Sequence, residues 1–133
     1  MYDGILNVYF FVFHSCIILF NLFGWMWKKT RKANLILILL TLGSWFILGL
    51  FYGYGYCPCT DWHWQVRSRL GYIDTESSYT QFLVHKLTGH LFPSKTVDIL
   101  TLSLLLLALA ASVFTNLRDG IRKKRAGLKS DLY

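Results

Sequence analysis

Three long apolar runs constrain this chain more than any other feature of its sequence. Residues 5–27 and 33–56 carry no formal charge, and residues 96–117 carry only Asp98. Each run is long enough to cross about 30 Å of hydrocarbon as a helix that rises 1.5 Å per residue. No basic residue precedes the first run and no small-residue cleavage site follows it, so we expect a retained helix rather than a signal peptide. The sequence therefore predicts an all-α membrane protein with three transmembrane helices.

The composition agrees with a lipid environment. Hydrophobic residues make up 54% of the chain and charged residues 16%, whereas about a quarter of a soluble protein is charged. The net charge of +7 is typical of some nucleic-acid-binding proteins, but the basic residues form two clusters that directly follow apolar runs. We therefore predict one polytopic domain, residues 1–133, with the lipid bilayer as a partner and no nucleic acid.

The basic clusters predict the orientation of the chain. One lies at residues 28–32 and the other in the tail, residues 118–133, and short loops rich in Lys and Arg remain in the cytoplasm. With three spans, both clusters fall on the same side of the membrane. The N-terminus and the long loop, residues 57–95, are then outside, and the C-terminus is cytoplasmic.

The outer loop is too long to be an empty connector. Thr60 can cap a short first helix, and Ser78 with Gln81 forms a capping box for a second helix that stops before Pro93. The second segment is short for a span and contains a lysine. We expect one or two short interfacial helices that lie on the outer leaflet or tuck back between the spans.

Each span carries a stripe of small or polar residues. Such stripes hold helices together in lipid, where apolar side chains gain nothing from leaving the solvent. Gly49 and Gly53 in addition form a small-residue pair that allows close backbone approach. The stripes consist of Asn7, His14 and Asn21 in the first span, Asn34 and Thr41 in the second, and Asp98, Thr101, Leu105, Ala108, Ser112 and Thr115 in the third.

His14 is the main candidate for function within a span. An ionisable residue in the membrane is by default a functional candidate, although a neutral imidazole can also simply hydrogen-bond across helices. We predict an intramembrane polar site of His14 and Asn21, joined by His85 from the outer loop. Histidines on two helices can also ligate a haem, and His14 with His85 is the pair to test.

Cysteine chemistry centres on Cys57-Pro58-Cys59. Facing an oxidising compartment, the two thiols form either a strained, labile disulfide or a free dithiol. With His63 four residues further on, two sulfurs and an imidazole can also hold Cu(I) or Zn, so Cys57, Cys59 and His63 are candidate metal ligands. A structural role for the cysteines is equally open, because a lone Cys-x-Cys is a weak signal.

No complete catalytic set is apparent. Asp61 with Arg67 or Arg69 indicates an ion pair at a helix surface rather than an acid–base apparatus. The sequence contains no P-loop, nucleotide-binding glycine motif, nucleophile elbow or metalloprotease helix. We therefore expect no catalytic residues, and the sequence does not specify a cofactor.

The stretch Cys57-Pro58-Cys59-Thr60 carries a family resemblance. The chain resembles a family of small bacterial inner-membrane proteins of unknown function, marked by an aromatic-rich helix end that runs into Cys-Pro-Leu-Thr. Cys59 stands where that family has leucine. The resemblance implies a fold and a bacterial cytoplasmic-membrane location, and it implies no activity. Further matching positions are His14, Phe20 and Gly24 in the first span, and Arg67, Phe82, His85 and Pro93 in the outer loop.

The leading functional hypothesis is a non-enzymatic small subunit or accessory factor of a larger envelope complex. The outer loop is rich in Trp and Tyr, as contact surfaces are. The alternatives are a thiol-redox or metal-handling (copper or haem) membrane protein, and a binder of quinone, haem or lipid between the spans. Predicted partner contacts are Tyr54, Tyr56, Cys57, Pro58, Thr60, Asp61, Trp62, Trp64 and Arg67.

Overall fold

The computed structural model describes residues 1–132, which are helical with no strand among them. Three helices are long and apolar enough to cross a membrane: Tyr2–Met26, Arg31–Tyr52 and Ser94–Ser130. The prediction of an all-α membrane protein with three transmembrane helices is thereby confirmed. Between the second and third spans lie two shorter helices, α4 (Pro58–Arg69) and α5 (Tyr79–Thr88).

The first span is α1 (Tyr2–Phe23), followed by a 3₁₀ turn, Gly24–Met26. Of its polar stripe, Asn21 faces the second span, where its side-chain amide donates to the Thr41 hydroxyl over 3.0 Å, whereas Asn7 contacts α4 and His14 contacts α5. Asn34, which is fully buried, donates to the Phe20 carbonyl over 2.6 Å. The predicted role of these residues in holding the two spans together is confirmed.

The second span is not a uniform helix. It consists of α2 (Arg31–Gly43), a π-helical turn (Ser44–Leu48) and α3 (Gly49–Tyr52). Gly53 has a φ of 107°, so the helix ends there rather than continuing to residue 56. The Ser44 hydroxyl donates to the Tyr56 carbonyl over 2.9 Å and draws the following turn back onto the π-helical segment.

The third span is α6, Ser94–Ser130, a single helix of 37 residues. At 1.5 Å per residue it is about 55 Å long, which exceeds the hydrocarbon core. The basic tail from residue 118 is therefore a helical continuation of the span. The face predicted from the small-residue spacing is buried from Leu105 onward, through Ala108, Ser112 and Thr115, whereas Asp98 at the start of that stripe is exposed.

Arg31 fixes the basic end of the bundle. Its guanidinium lies 2.6 Å from the Asp119 carboxylate of α6 and donates to the Trp25 carbonyl over 3.0 Å. The Asn116 side chain in turn donates to the Arg31 carbonyl over 3.1 Å. The loop between the first two spans is therefore held against α6.

At the opposite end, residues 57–93 form what we call the cap. Helix α4 packs against α1 and α5 packs against α6, so the cap closes over the bundle. α4 begins with Cys57 as its N-cap and Pro58 in its first turn, earlier than the Thr60 cap that we predicted. α5 begins as predicted, with Ser78 accepting from the Gln81 amide, and ends at Gly89, whose φ is 74°.

Arg67 joins α4 to α5 and to the loop between them. Its guanidinium forms two hydrogen bonds with Asp74, at 2.8 and 3.0 Å, and lies 4.6 Å from the ring centroids of both Tyr72 and Phe82. The predicted ion pair of Asp61 with Arg67 or Arg69 is wrong. Arg67 pairs with Asp74 and Arg69 with Asp3, and Asp61 accepts a hydrogen bond from Gln65. The i+4 neighbour on the same helix is closer to Asp61 than either arginine.

Candidate functional site

A cleft opens between the three spans and the floor of the cap. It consists of two adjoining chambers of about 370 and 350 Å³. We call the first the cap-side chamber and the second the bundle-side chamber. Because five residues line both, the two form one continuous cleft; these are His14, Trp45, Cys57, Thr80 and Thr101.

The two chambers differ in polarity. The cap-side chamber combines aromatic side chains such as Trp45 and Phe46 with a group of hydroxyls and one carboxyl group, from Thr60, Ser77, Ser78, Thr80, Thr101 and Asp98. The bundle-side chamber is lined mainly by aliphatic side chains, from Ile17, Ile18, Leu22, Leu37, Leu40, Leu48, Leu104 and Leu105. The cleft is therefore more polar at its cap end than at its bundle end.

His14 lies at the junction of the chambers. It is buried, with 8% of its surface exposed, and its Nδ1 has no hydrogen-bond partner within residues 1–132. Its ring is stacked on Tyr79 of α5, with the centroids 3.9 Å apart. The Tyr79 hydroxyl donates to the Phe11 carbonyl over 2.9 Å and lies 3.0 Å from the Ser15 hydroxyl. α1 and α5 thus orient the imidazole together.

The other residues of the predicted polar site are in different places. Asn21 lines the bundle-side chamber and is bonded to Thr41. His85 lines neither chamber and instead pairs with Glu76. Burial raises the pKa of Glu76, but the interaction with His85 and the hydrogen bonds from backbone amides together outweigh it, so the pKa lies below its ordinary value. The structure therefore does not bring His14 and His85 together as a haem-ligating pair.

His63 of α4 is fully buried in the cap. Its Nε2 lies 2.8 Å from the Asn7 side-chain oxygen, so the tautomer with Nε2–H donates to Asn7. Burial first, and then the positive charge of Arg67, lowers the pKa of His63 to about 4. The imidazole is therefore neutral at pH 7. Its ring lies among aromatic side chains, with centroids within 6.0 Å, from Phe10, Trp64, Tyr79 and Phe82.

The two cysteines are together, but without His63. Cys57 lines both chambers and Cys59 the bundle-side chamber, and both thiols are free. Burial raises the pKa of Cys59, and the neighbouring Cys57 thiol raises it further through its charge and a hydrogen bond. Across residues 1–132, no group of three or more His, Cys, Asp or Glu side chains is placed to hold a metal ion.

The nine predicted contact residues divide into three sets. Tyr54 and Trp62 are well exposed, at 81% and 56%. Cys57 and Pro58 face the cleft, and Arg67 is committed to Asp74. The remaining four are partly buried in the cap: Tyr56, Thr60, Asp61 and Trp64.

Sequence reasoning missed several residues of the cleft. Trp45 lines both chambers, yet it lies within an uninterrupted apolar run where nothing marks it. Tyr79 has no predicted role in the site. It directly follows Ser78, the N-cap residue of α5, and its ring packs on His14 of the first span. Thr101 was assigned to helix contacts, and its hydroxyl does donate to the Val97 carbonyl over 2.7 Å.

Comparison with known proteins gives a family. No curated protein and no solved structure matches the chain. A family model described as "Protein of Unknown function (DUF2784)" matches residues 4–117, a stretch that contains the cleft and the whole cap. This agrees with the resemblance to an uncharacterised family, and the chain belongs to the DUF2784 family of proteins of unknown function.

Proposed function

We propose that this chain is a non-enzymatic membrane protein that binds an amphipathic molecule in the cleft between its spans. The observation that carries the proposal is the change in lining, from hydroxyls at the cap to aliphatic side chains in the bundle. Binding sites for small molecules are typically apolar cavities with a few placed polar groups. The described residues fit that pattern, whereas no nucleophile–base pair or metal cluster is assembled among them.

Filling the cleft tests this proposal. Thr101→Phe introduces a ring where both chambers meet, and Ser103→Phe introduces the same ring on the exposed side of α6. The two wild-type hydroxyls make equivalent bonds to their own helix, at 2.7 and 2.8 Å. Native mass spectrometry should detect a bound amphiphile in the wild type and in Ser103→Phe, and none in Thr101→Phe. Equal occupancy of the two variants would contradict the proposal.

The proposed location is the bacterial cytoplasmic membrane, with the cap outside and the tail in the cytoplasm. Its support is the charge asymmetry, because the basic residues 28–32 and 118–129 lie at one end of the bundle. Single cysteines in a cysteine-free chain test the orientation. A membrane-impermeant reagent should label Thr75→Cys on intact cells and Ser130→Cys only after permeabilisation. The reverse pattern would place the cap in the cytoplasm.

We further propose that the chain is an accessory subunit of a larger envelope assembly, with the exposed aromatic side chains of the cap and of the turn that precedes it as its contact. Tyr54 and Trp62 support this, because large exposed aromatics are frequent at interfaces. Trp62→Ser should reduce recovery of partner proteins from native membranes. Trp27→Ser, which removes an equally exposed tryptophan at the other end of the bundle, should not.

The pairing of Cys57 and Cys59 favours a second candidate function, dithiol redox chemistry or metal handling. Both thiols border the cleft, and the two cysteines stand two positions apart at the start of α4. Alkylation of native membranes should find the two protected together if they cycle through a disulfide, with Cys16→Ser as the unaffected control. Metal and haem analysis of the purified protein tests the other branch. If Cys57→Ser and Cys59→Ser change neither result, this candidate is excluded.

A further inference from the structure

The cleft has no positive charge to receive an anionic head group. Neither chamber is lined by a lysine or arginine, and the only acidic residue at the cap-side chamber is Asp98. A buried phosphate is costly without a charged partner, and proteins usually supply arginine for it. Most lipids that carry a phosphate are therefore disfavoured here.

The basic residues of the cap are committed elsewhere. Arg67 is bonded to Asp74, and Arg69 pairs with Asp3 over 3.1 Å. The Lys86 ammonium lies 4.6 Å from the centroid of the Phe11 ring. Lys95 lies just beyond the cap, in the first turn of α6, and also lines neither chamber. No cation of the cap therefore faces a ligand in the cleft.

The cleft does supply uncharged hydrogen-bonding groups. His14 is more than nine-tenths buried, lines both chambers, and its imidazole makes no hydrogen bond with any residue of the described part. A neutral imidazole offers one donor and one acceptor, so it can bond a carbonyl or a hydroxyl oxygen. The hydroxyls of Thr60 and Thr80 add further donors and acceptors nearby. A head group with carbonyl or hydroxyl oxygens would satisfy these groups.

The dimensions of the cleft limit the tail. The bundle-side chamber, about 350 Å³, is at the lower end of the range of about 300–1,000 Å³ usual for ligand sites. Its volume accommodates part of one acyl chain. Its aliphatic lining continues from Leu104 on α6 to Leu37 on α2.

We propose that the ligand is an uncharged, single-tailed amphiphile whose carbonyl or hydroxyl oxygen bonds to His14 while its tail lies in the bundle-side chamber. The proposal rests on the proposed function and specifies its ligand. Two sources share this chemistry: isoprenoid quinones present carbonyls, and monoglycerides or isoprenoid alcohols present hydroxyls. The structure assigns the shared chemistry, and the choice between the sources is left to experiment.

The test compares three single-tailed probes on the full-length chain in detergent, with the thermal midpoint of unfolding as the readout. Decylubiquinone carries carbonyls, 1-monoolein carries hydroxyls, and oleoyl lysophosphatidic acid carries the same oleoyl tail with a phosphate. We expect at least one neutral probe to raise the midpoint in a concentration-dependent way and the phosphate probe to have no such effect. A stronger response to decylubiquinone indicates a quinone, and a stronger response to monoolein a hydroxyl-headed lipid.

Two variants test the role of His14. His14→Phe keeps a flat ring against Tyr79 but removes both nitrogens, and should weaken binding of the effective neutral probe about tenfold. His90→Phe, at an exposed position of the cap, should bind as the wild type does. If His14→Phe does not fold, Thr80→Val replaces it as the test. This variant removes a cleft hydroxyl without changing the shape of the side chain, and we expect it also to bind the effective neutral probe more weakly.

The outcomes separate this inference from the proposed function. A response to the phosphate probe equal to that of monoolein would overturn the uncharged head group and leave the amphiphile-binding cleft standing. Unchanged affinity in His14→Phe, or in Thr80→Val where that variant replaces it, would overturn the proposed hydrogen bond. No response to any of the three probes would overturn both proposals.

Discussion

The imidazole of His14 and the phenol of Tyr79 lie face to face, with their planes 1° apart and their centroids 3.9 Å apart. One ring belongs to the first span and the other to the cap. The same contact therefore lines the cleft and holds α5 against the first span. Stacked aromatic pairs contribute about 0.5–1.5 kcal/mol beyond their burial. Cap stability and ligand binding should therefore depend on the same residues.

Tyr79→Phe should destabilise the protein modestly. The variant keeps the stack on His14 and loses the hydroxyl contacts to Phe11 and Ser15, which corresponds to about 1 kcal/mol. Tyr79→Ala also removes the buried ring and should cost about 3 kcal/mol. Reversible unfolding in mixed micelles measures both values. Tyr72→Phe, at a more exposed tyrosine, is the control and should change the free energy of unfolding by less than about 0.5 kcal/mol.

Arg67→Ala should loosen the cap. It leaves the Asp74 carboxylate buried without its partner and removes the guanidinium from between two aromatic rings, a loss of about 3 kcal/mol. We expect faster proteolysis between α4 and α5 as well as a lower midpoint of unfolding. Arg69→Ala breaks a more exposed ion pair with Asp3 and should cost at most about 1 kcal/mol. Equal effects would show that Arg67 is only a surface charge.

The stability of the protein should fall as the pH drops from about 6.5 to 4. Burial, aided by the positive charges of Arg67 and Lys86 and opposed by Asp74, lowers the pKa of His63 to about 4, whereas its value in the unfolded chain is about 6.5. Within that window the unfolded state binds the extra proton, so the folded state loses stability with acidification. Protonation of His63 should lower the free energy of unfolding by about 3 kcal/mol in total. This stability is fully present above pH 6.5 and is lost by pH 4.

His63→Gln isolates this contribution. A glutamine can still donate to the Asn7 oxygen but does not titrate, so its free energy of unfolding should be flatter than that of the wild type between pH 6.5 and 4. His90→Gln, an exposed position, should keep the wild-type slope. Glu76 contributes mainly below its ordinary pKa of 4.5, and it is present in all three proteins. Parallel curves for the wild type and His63→Gln would contradict the assignment.

The spans were predictable because length and apolarity alone decide what can cross a bilayer. The contacts of Asn21 and Asn34 followed for a related reason, since a polar side chain within a span is expected to find a partner on a neighbouring helix. The start of α5 was predictable because Ser78 and Gln81 form a capping box, a pattern within four consecutive residues. Each of these inferences depends on residues close together in the sequence.

The cleft was not predictable in the same way. It depends on Tyr79 meeting residues 64 and 68 positions away along the chain, and no local pattern encodes that pairing. Gly49 illustrates the same limit. A small-residue pair suggested contact between helices, whereas a Cβ at Gly49 would lie 3.2 Å from the Tyr54 backbone, within the turn that ends the span. In the folded chain the close neighbour of Gly49 is therefore the backbone of Tyr54 and not another span.

The last prediction concerns two glycines whose replacement by alanine should have opposite effects. A Cβ at Gly24 would lie 2.9 Å from the side-chain nitrogen of Asn34, which donates to the Phe20 carbonyl over 2.6 Å. Gly24→Ala should therefore displace this buried amide and cost about 1–3 kcal/mol. At Gly43 the nearest atom is a methyl of Ile47 at 3.9 Å, so alanine fits and should stabilise α2 by up to about 1 kcal/mol. Unfolding in mixed micelles measures both values, and a destabilised Gly43→Ala would show that the π-helical turn needs the flexibility of glycine.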